Sequence, residues 1–378
     1  MVVFGTRPEA TKMAPVVREL ERHPGMEPIV TVTAQHREML DQVLRLFRLP
    51  VHHDLDIMRP RQSLTDVTVR VLEGLERLLE AERPDVVLVH GDTATTAAAS
   101  LAAFYARVPV GHVEAGLRTY RKYEPFPEEI FRRITDAIAD IHFAPTRQAR
   151  DNLLAERIDG RSIFVTGNTA IDALLMTVRP DYTFRTPGLA SILDGGRRVL
   201  AVEAHRRENW GRPMHDICRA LRRVLDARDD VCLVYSVHRN PEVAGVVTRY
   251  LDGHPRAHLF SPPLDYDEWA NLMARCAFVV TDSGGLQEEA PALGKPVLLL
   301  RNATERPEAV AAGTVQQVGT DPDAVTAAIL RLLDDPEAYR AMATARNPYG
   351  DGQAARRTVQ GLACWLGLST ERPDEWDG

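Results

Sequence analysis

The sequence predicts an α/β protein made of two Rossmann-like domains with a central cleft between them. Short apolar, β-branched runs alternate with amphipathic helical stretches along the whole chain, which is typical of parallel βαβ units. With 378 residues, the chain also exceeds the size at which a single hydrophobic core usually stops growing. In such domains ligands bind beyond the carboxyl ends of the strands, so the turns that follow the strands are candidate sites.

The predicted strands form two sets, one in each half of the chain. The first set is Met1–Phe4, Ile29–Ala34, Val86–His90, Val108–Val113, Ile141–Ala144 and Ile163–Thr166. The second set is Val199–Val202, Val231–Tyr235, His258–Phe260, Phe278–Thr281 and Val297–Leu300. Between the sets, Arg179–Arg198 is rich in Pro, Gly and Arg and lacks apolar periodicity, so it is interpreted as the linker region. The last dozen residues, which include the polar run from Glu371 to Gly378, are expected to form a loosely held tail.

Composition and charge exclude several classes of function. The net charge is −7 and no clustered basic segment is present, so nucleic acid is not an expected partner. No apolar stretch approaches the roughly 20 residues of a membrane span, and the N-terminus lacks the pattern of a signal peptide. The four cysteines are widely spaced without a CxxC pair, which indicates buried thiols. We therefore expect a soluble cytoplasmic protein that binds neither membranes nor a metal ion.

Two turns of the second half carry groups suited to a nucleotide diphosphate. His205–Asn209 follows one predicted strand and supplies two guanidiniums and an imidazole. Asp282–Glu289 follows another and supplies a hydroxyl, two glycines and the free amides of a helix N-terminus, which favour phosphate. One helical turn further along, the carboxylate of Glu289 has the chemistry to bind a ribose diol. The sequence therefore predicts a nucleotide diphosphate site at these turns.

Several short motifs together carry a family resemblance. They are Gly5-Thr6-Arg7-Pro8-Glu9-Ala10, His90-Gly91-Asp92-Thr93, Gly111-His112-Val113-Glu114-Ala115-Gly116-Leu117-Arg118, Pro127-Glu128-Glu129, Thr166-Gly167-Asn168, His205-Arg206-Arg207-Glu208-Asn209, Ser283-Gly284-Gly285, Thr304-Glu305-Arg306-Pro307-Glu308 and Asn347-Pro348-Tyr349-Gly350-Asp351-Gly352. In this order and spacing, from about residue 2 to 365, the chain resembles the non-hydrolysing bacterial UDP-N-acetylglucosamine 2-epimerases. The resemblance implies the B-type glycosyltransferase fold, in which the C-terminal helix crosses back onto the first domain. The expected domains are therefore 1–170 joined by the helix of 355–378, and 171–354.

The resemblance also implies an activity and the residues that carry it. The family interconverts UDP-N-acetylglucosamine and UDP-N-acetylmannosamine by eliminating UDP to give 2-acetamidoglucal and adding it back, with no cofactor. Such chemistry needs carboxylates that move protons at the sugar and cations that stabilise the leaving diphosphate. The residues that match the family's catalytic groups are Asp92, Glu114, Glu128 and His205. The expected substrate-binding residues are Arg7, Lys12, Arg132, Arg206, Ser283, Gly284, Gly285, Glu289 and Arg306.

A second ligand and a second subunit are also implied. Several bacterial members bind UDP-N-acetylglucosamine beside the substrate as an activator, which would act by shifting the population of conformations. The residues that match this activator site are Gln35, Arg61, Gln62 and His238, with Arg206 or Arg207 nearby. The family is usually dimeric, so a homodimer is expected.

Three positions depart from the usual family pattern. Glu203 stands where threonine is common, and an extra carboxylate beside a diphosphate repels it unless a cation pairs with the carboxylate. Phe131 replaces a usual asparagine, and Ser236 replaces a usual proline. The sequence does not assign the roles of acid and base among the three carboxylates, each of which is also a residue type expected at a helix N-terminus.

Three other functions remain open at this point. A retaining B-type glycosyltransferase shares the fold and the donor, although it lacks the carboxylate trio and the Gly-Thr-Arg-Pro-Glu start. In a catalytically silent UDP-sugar-binding sensor, Glu203 and Phe131 would be the disabling changes. A hydrolysing relative would release free N-acetylmannosamine and UDP by trapping water on the glucal.

Overall fold

The computed structural model describes residues 1–35 and 37–378 and divides into two compact units. Unit 1 is Met1–Ala173 with Tyr349–Gly378, and unit 2 is Leu174–Pro348. Each unit is built on one parallel sheet, so the predicted pair of α/β domains is confirmed. These bounds differ by a few residues from those predicted from the sequence.

Unit 1 holds a seven-stranded parallel sheet in the order β3-β2-β1-β4-β5-β6-β7. Its strands are β1 (Val2–Phe4), β2 (Val30–Val32), β3 (His53–Asp54), β4 (Val87–His90), β5 (Val110–Val113), β6 (Ile141–Ala144) and β7 (Ile163–Val165). Its helices are α1 (Arg7–Arg22), α2 (Arg37–Phe47), α3 (Leu64–Glu82), α4 (Ala94–Tyr105), α5 (Glu128–Ile138), α6 (Arg147–Ala155), the start of α7 (Thr169–Thr177) and, after unit 2, α16 (Ala354–Trp365).

Unit 2 holds a six-stranded parallel sheet in the order β10-β9-β8-β11-β12-β13. Its strands are β8 (Arg198–Glu203), β9 (Val231–Ser236), β10 (Ala257–Phe260), β11 (Phe278–Thr281), β12 (Val297–Leu299) and β13 (Val315–Gln317). Its helices are α8 (Leu189–Asp194), α9 (Arg212–Ala227), α10 (Pro241–Leu251), α11 (Tyr266–Arg275), α12 (Leu286–Ala292), α13 (Pro307–Ala311), α14 (Pro322–Asp334) and α15 (Pro336–Ala343).

The central strands are buried along their whole length because helices cover both faces of each sheet. Every residue of β1, β4, β5, β6 and β11 is buried, which explains why these strands read as continuous apolar runs in the sequence. In both sheets the carboxyl ends of adjacent parallel strands lie at one edge, where the strand-to-helix turns begin. Among the described helices, none combines the length and the apolar character needed to cross a membrane.

The segment Arg179–Arg198, which the sequence suggested as a linker, is packed into unit 2. Arg179 N donates to Asn271 Oδ1 at 2.8 Å, and Glu268 Oε1 accepts from the amides of Arg185 and Thr186, each at 2.8 Å. The prediction of a linker is therefore wrong. The segment lacks apolar periodicity because polar side chains of α11 hold its backbone.

The C-terminal tail is also more tightly held than expected. Trp376 is 6% exposed, and its amide donates to Val165 O at 2.8 Å. The guanidinium of Arg357 lies over the Trp376 ring, and that of Arg372 lies 4.1 Å from the centroid of the Phe164 ring. The prediction of a loosely held tail is therefore wrong, since one buried tryptophan and two arginines anchor the segment to β7 and α16.

The helix α16 is fixed to unit 1 through its first turn. Asp172 of α7 accepts from the amides of Ala354 and Ala355 at 3.1 and 2.8 Å, which caps the N-terminus of α16. Burial raises the pKa of Asp172 to about 6 despite these hydrogen bonds. The helix packs against α1 and the strands β6 and β7, so the last part of the chain belongs to the first fold unit.

Candidate functional site

Asp92 and Glu114 follow adjacent strands of unit 1. Asp92 lies two residues after β4 and Glu114 directly follows β5, and the two strand ends are paired through His90 and Val113. The parallel sheet therefore brings both carboxylates to the same edge, as their positions in the sequence predicted. Arg132 of α5 contacts Asp92 Oδ2, so this carboxylate carries a paired cation.

Glu114 lies in a dense set of polar contacts. Lys12 of α1 contacts its Oε1, and Asn168 donates to the same oxygen at 2.9 Å. His90 Nε2 is 3.7 Å from Glu114 Oε2. Burial alone would raise the pKa of Glu114, but Lys12 and then His90 outweigh burial and hold the pKa well below its usual value. Glu114 also has a positive φ of 66°, a conformation uncommon outside glycine and frequent at functional sites.

His90 is a buried neutral imidazole beside Glu114. Burial lowers the pKa of His90 to about 3, although the carboxylate of Glu114 opposes this shift. Within the described residues, neither ring nitrogen of His90 has a hydrogen-bond partner. The sequence analysis included His90 and Asn168 in motifs but did not assign them to the site. Both lie at or just after the carboxyl end of a strand, and that position is a signal from which they could have been found.

The turn after β1 is held by a buried carboxylate. Glu9 Oε2 accepts from the amides of Gly5 and Thr6 at 3.1 and 2.8 Å, and its Oε1 accepts from the hydroxyls of Thr93 and Thr96 at 2.7 and 3.0 Å. Glu9 thereby joins the β1–α1 turn to the turn that carries Asp92. The predicted cation Arg7 begins α1 and is exposed, and Lys12 lies five residues further along the same helix.

Glu128 and Glu129 begin α5 but do different things. Glu129 is fully buried and accepts from the amides of Thr119 and Tyr120 at 3.0 Å each, so it fixes the loop before α5. Glu128 Oε2 is also buried, yet it accepts no hydrogen bond from any residue that the structure describes. Arg132 lies one helical turn after Glu128 and contacts Asp92, which brings the third predicted carboxylate to the region of the other two.

A buried charge network supports the turn that carries Asp92. His112 Nδ1 lies 2.6 Å from Asp136 Oδ1, and His112 Nε2 lies 2.7 Å from the carbonyl oxygen of Gly91. Asp136 Oδ2 pairs with Arg118 Nη1 at 2.7 Å, and Glu156 binds the other side of that guanidinium. Both ring nitrogens of His112 therefore lie at hydrogen-bond distance from oxygen atoms. This network connects β5 and α5 to the residue that precedes Asp92.

In unit 2, Asp282 organises the turn after β8. This fully buried carboxylate accepts from the amides of His205 and Arg206 at 3.0 and 2.9 Å and from Asn209 Nδ2 at 2.8 Å. Trp210 Nε1 donates to His205 O at 3.1 Å and closes the short 3₁₀ turn Arg207–Asn209. Since Asp282 directly follows β11, two neighbouring strand ends are joined by one carboxylate, as the two predicted turns required.

The side chain of His205 lies between a carboxylate and a second imidazole. Glu203 Oε1 is 3.3 Å from His205 Nδ1, and the ring of His238 is stacked on that of His205 with centroids 5.2 Å apart. Burial alone would lower the pKa of His205, but Glu203 and then Asp282 outweigh burial and raise the pKa. Burial and the neighbouring His205 lower the pKa of His238. His205 is therefore the ring of the pair that retains a proton.

The loop Ser283–Gly285 leads into α12 and packs against Arg306. A Cβ on Gly284 would lie 2.5 Å from Arg306 Nη1, so any larger residue there would displace the Arg306 guanidinium. At Gly285, by contrast, a Cβ would meet nothing within 4 Å. Arg306 Nε contacts Glu288 Oε1 at 2.5 Å, and Glu289 lies half-buried in the first turn of α12. The predicted loop and its cation are thus adjacent.

Three arginine side chains of unit 2 lie around the carboxylate of Glu305. Arg306 Nη1 lies 2.8 Å from Glu305 Oε1, Arg301 Nη1 lies 2.7 Å from Oε2, and Arg206 Nη2 lies 3.7 Å from Oε1. Burial would raise the pKa of Glu305, but these three cations outweigh burial and lower the pKa. Three guanidinium groups, a type of group suited to binding phosphate, therefore lie close together around one carboxylate.

The residues predicted for an activator site fall into both units. In unit 1, Gln62 Nε2 donates to Gln35 O at 3.4 Å, and Gln62 Oε1 accepts from Arg59 N at 3.1 Å. Arg61 is exposed with a φ of 57°. His238 lies in unit 2 against His205. The structure therefore brings Gln35 and Gln62 into contact and places His238 beside a predicted catalytic residue.

Two of the three departures from the family pattern are accounted for by local packing. Phe131 packs against the apolar core of unit 1 that includes Val67 and Val71. Ser236 ends β9, and its hydroxyl accepts from Leu264 N at 3.2 Å, which ties β9 to the loop after β10.

Across residues 1–35 and 37–378, no group of three or more His, Cys, Asp and Glu side chains has the arrangement of a metal site.

Comparison with known proteins connects this geometry to a family. The family model for UDP-N-acetylglucosamine 2-epimerase matches residues 18–363. The chain is 52% identical over 378 residues to the UDP-N-acetylglucosamine 2-epimerase of Bacillus subtilis, with 100% of this chain and 98% of the relative covered.

Solved structures with ligands show the same similarity. The complex of S. aureus MnaA with UDP superposes with a TM-score of 0.90 at 46% identity and covers 99% of this chain and 98% of its own. The UDP-GlcNAc 2-epimerase of Neisseria meningitidis bound to UDP-GlcNAc has a TM-score of 0.85 at 45% identity and covers 96% of this chain and 98% of its own.

Proposed function

Since the chain belongs to the UDP-N-acetylglucosamine 2-epimerase family, we propose that it interconverts UDP-N-acetylglucosamine and UDP-N-acetylmannosamine without hydrolysing either. The observation that carries this proposal is the placement of two cation-paired carboxylates, Asp92 and Glu114, at the ends of adjacent strands of unit 1. Inversion at C2 of a sugar requires proton removal and proton delivery, and carboxylates held in fixed positions supply both.

The reaction proceeds by elimination. A carboxylate takes the C2 proton, the C1–C2 double bond forms, and the C1–O bond breaks with its electron pair going to the phosphate oxygen of UDP. The products of this step are 2-acetamidoglucal and UDP. UDP then adds back to C1 while a proton is delivered to the opposite face of C2, which gives the epimer. The proton returned to C2 comes from solvent, and the oxidation level of the sugar is the same in substrate and product, so the overall reaction needs no oxidant or reductant.

Asp92, Glu114 and Glu128 divide the proton transfers between them. Glu114 stays ionised because Lys12 contacts it, and the positive φ fixes its direction. Arg132 restrains Asp92. Glu128 is the least engaged of the three, because its buried Oε2 accepts no hydrogen bond from the described residues. These different partners support different roles for the three groups, since the environment of a carboxylate sets its proton affinity.

Unit 2 supplies the groups that stabilise the leaving UDP. His205 retains a proton beside Glu203 and donates it to, or shares it with, the departing phosphate. Arg206 and Arg306 neutralise the diphosphate, Ser283 and the glycines after it approach the phosphates, and Glu289 binds the ribose hydroxyls. In support, the similar structures of S. aureus and N. meningitidis proteins contain UDP and UDP-GlcNAc respectively.

We further propose that UDP-N-acetylglucosamine activates the enzyme through Gln35, Arg61, Gln62 and His238, and that the enzyme acts as a homodimer in the cytoplasm. The contact between Gln62 and Gln35 supports the first part. Replacing Gln62 by alanine should therefore weaken the dependence of the rate of UDP-N-acetylmannosamine conversion on added UDP-N-acetylglucosamine. An unchanged dependence would remove Gln62 from the activator site.

Product analysis tests the proposed function. The purified protein is incubated with UDP-N-acetylglucosamine, and the nucleotides and free sugars are separated over time. The proposal predicts a mixture of two UDP-sugars that reaches the same ratio from either starting epimer. Accumulation of UDP and free N-acetylmannosamine would instead identify a hydrolysing enzyme, and unchanged substrate would leave only a binding function.

A further inference from the structure

Glu203 is a carboxylate that neither the family pattern nor the proposed chemistry explains. It ends β8, and its carbonyl oxygen accepts from Asp282 N at 3.3 Å, so its backbone completes the pairing of β8 with β11. Its side chain points to one partner: Oε1 lies 3.3 Å from His205 Nδ1. This contact has the distance of an ion pair but not the geometry of a hydrogen bond, and among the described residues no other ion pair involves the Glu203 carboxylate.

We propose that Glu203 is a positioning residue for His205. As the ion-pair partner of Nδ1 it favours the protonated ring in this orientation and leaves Nε2 to donate to the departing diphosphate. This inference rests on the proposed function, because it takes His205 as the group that assists the leaving UDP. A carboxylate that orients a histidine through one ring nitrogen determines which proton the other nitrogen presents.

The backbone of the turn does not need Glu203, because Asp282 already holds it. The amides of both His205 and Arg206 donate to Asp282, and Asn209 donates to the same carboxylate. Asp282 Oδ1 is 3.9 Å from His205 Nδ1, further away than Glu203 Oε1 at 3.3 Å. Asp282 therefore positions the main chain of His205, and Glu203 positions its ring.

The charges around His205 favour an imidazolium there. Glu203 and Asp282 face the ring from β8 and from the loop after β11, whereas Arg206 opposes its charge and His238 stacks on it from the loop after β9. The raised pKa of His205 and the lowered pKa of His238 agree with one proton held on the His205 side of the pair. The same pairing balances the negative charge of Glu203, which would otherwise repel a diphosphate.

The test compares the wild type with Glu203→Gln and Glu203→Thr. Glutamine keeps the shape and an acceptor but removes the charge, and threonine removes the contact. The His205 ring is followed by NMR on histidine-labelled protein, with its signal among the 12 histidines assigned by its loss in His205→Ala. In parallel, kcat and KM for UDP-N-acetylglucosamine are measured across pH.

We expect both variants to titrate His205 at lower pH than the wild type, and the alkaline fall of kcat to move to lower pH with it. At slightly alkaline pH, kcat should fall roughly 10- to 100-fold, a part of the roughly 10²- to 10⁴-fold that a positioned proton donor contributes. KM should change little, because the binding cations are untouched. The threonine variant should lose more than the glutamine variant, which retains an acceptor for Nδ1–H.

Glu242→Gln is the matched control, because it removes an exposed carboxylate of α10 and should change neither the titration nor the rate. An unchanged His205 titration in Glu203→Gln, or an unchanged pH dependence of kcat, would overturn the inference. If the wild type itself fails to epimerise, the proposed function fails. The NMR titration still decides whether Glu203 governs His205.

Discussion

Asp92 lies just after the end of the central strand β4, and one of its carboxylate oxygens contacts an arginine. Arg132 contacts Oδ2, and the Gly91 carbonyl before it is bound by His112. If Asp92 moves a proton at C2, an amide in its place has the same shape and no basicity. Asp92→Asn should therefore lower kcat roughly 10²- to 10⁴-fold and leave the unfolding curve unchanged.

Initial rates and denaturant unfolding check the Asp92 prediction, with Asp151→Asn as the control. Asp151 is an exposed carboxylate that also contacts an arginine, so its loss should affect neither measurement. A kcat for Asp92→Asn within a factor of a few of the wild type would contradict the assignment of Asp92 as catalytic.

Asp136 is important for stability rather than for chemistry. Although burial favours its neutral form, His112 and Arg118 lower the pKa of Asp136 from 3.8 to about 2. Because the folded pKa is depressed, the stabilisation is complete above the unfolded pKa and is lost as the pH falls through the folded value. At neutral pH, Asp136→Asn should reduce the free energy of unfolding by roughly 3–5 kcal/mol, the cost usual for breaking a buried ion pair.

Denaturant unfolding at several pH values measures the effect of Asp136→Asn. The difference between variant and wild type should be constant from neutral pH down to about pH 4 and shrink below it. A variant as stable as the wild type at pH 7 would show that the buried network does not support the Asp92 turn.

The sequence predicted single residues best where a motif and a strand end coincide. Asp92, Glu114, His205 and Ser283 all lie where the apolar runs that precede them end, so their approximate positions followed from the strand pattern. Asn168 and His90 were missed as members of the site because their partners come from other strand ends, and such contacts depend on sheet order. Glu203 was recognised only as an anomaly, because its contact with His205 depends on side-chain direction.

Among the loops, Gly284 and Gly285 offer a paired test of the diphosphate site. A Cβ on Gly284 would clash with Arg306, whereas one on Gly285 would enter open space. Gly285 has φ −61° and ψ −39°, which suits alanine. Gly285→Ala should therefore leave the free energy of unfolding unchanged or raise it by up to about 1 kcal/mol. It should nevertheless weaken UDP binding if a phosphate approaches the backbone at this position.

Calorimetric titration with UDP and thermal unfolding measure the two effects. Gly284→Ala serves as the comparison, since it should lower stability and UDP affinity together by displacing Arg306. Full affinity in Gly285→Ala would mean that the phosphates do not approach the loop at this point.

Hydrophobic patterning predicted some strands more accurately than others. The central strands were predicted within about a residue or two of their ends, because burial on both faces makes them continuous apolar runs. The two short edge strands β3 and β13 were missed, since His53–Asp54 and Val315–Gln317 lie at sheet edges and carry polar residues. Arg179–Arg198 was taken as a linker because hydrogen bonds to Asn271 and Glu268 leave no periodic pattern.

For the chain as a whole, the C-terminal tail should contribute measurably to stability. Trp376 is 6% exposed and lies against Arg357, whereas Trp365 at the end of α16 is 36% exposed. Trp376→Ala should therefore cost about 3 kcal/mol, near the lower end for a buried aromatic residue, and Trp365→Ala clearly less. Denaturant unfolding of both variants checks this, and equal losses would show that the tail is not a specific anchor.

The family was predictable from the sequence because many short motifs agree in order and spacing. The match of the family model over residues 18–363 and the 52% identity to the Bacillus subtilis relative confirm it. The sequence also predicted catalytic carboxylates in the first half and the histidine and phosphate-binding loop in the second, and this division of roles stays a prediction. The anchoring of the C-terminal tail and the polar packing of Arg179–Arg198 were not predicted, because both depend on contacts between segments distant in sequence.

The most direct test of the proposed epimerisation is proton NMR of the purified protein with UDP-N-acetylglucosamine in D₂O. UDP-N-acetylmannosamine should appear with deuterium at C2, because the elimination breaks the C2–H bond and solvent supplies the returning proton. Epimer that forms with full retention of the C2 proton, or substrate that stays unchanged in both signal and isotope content, would contradict it.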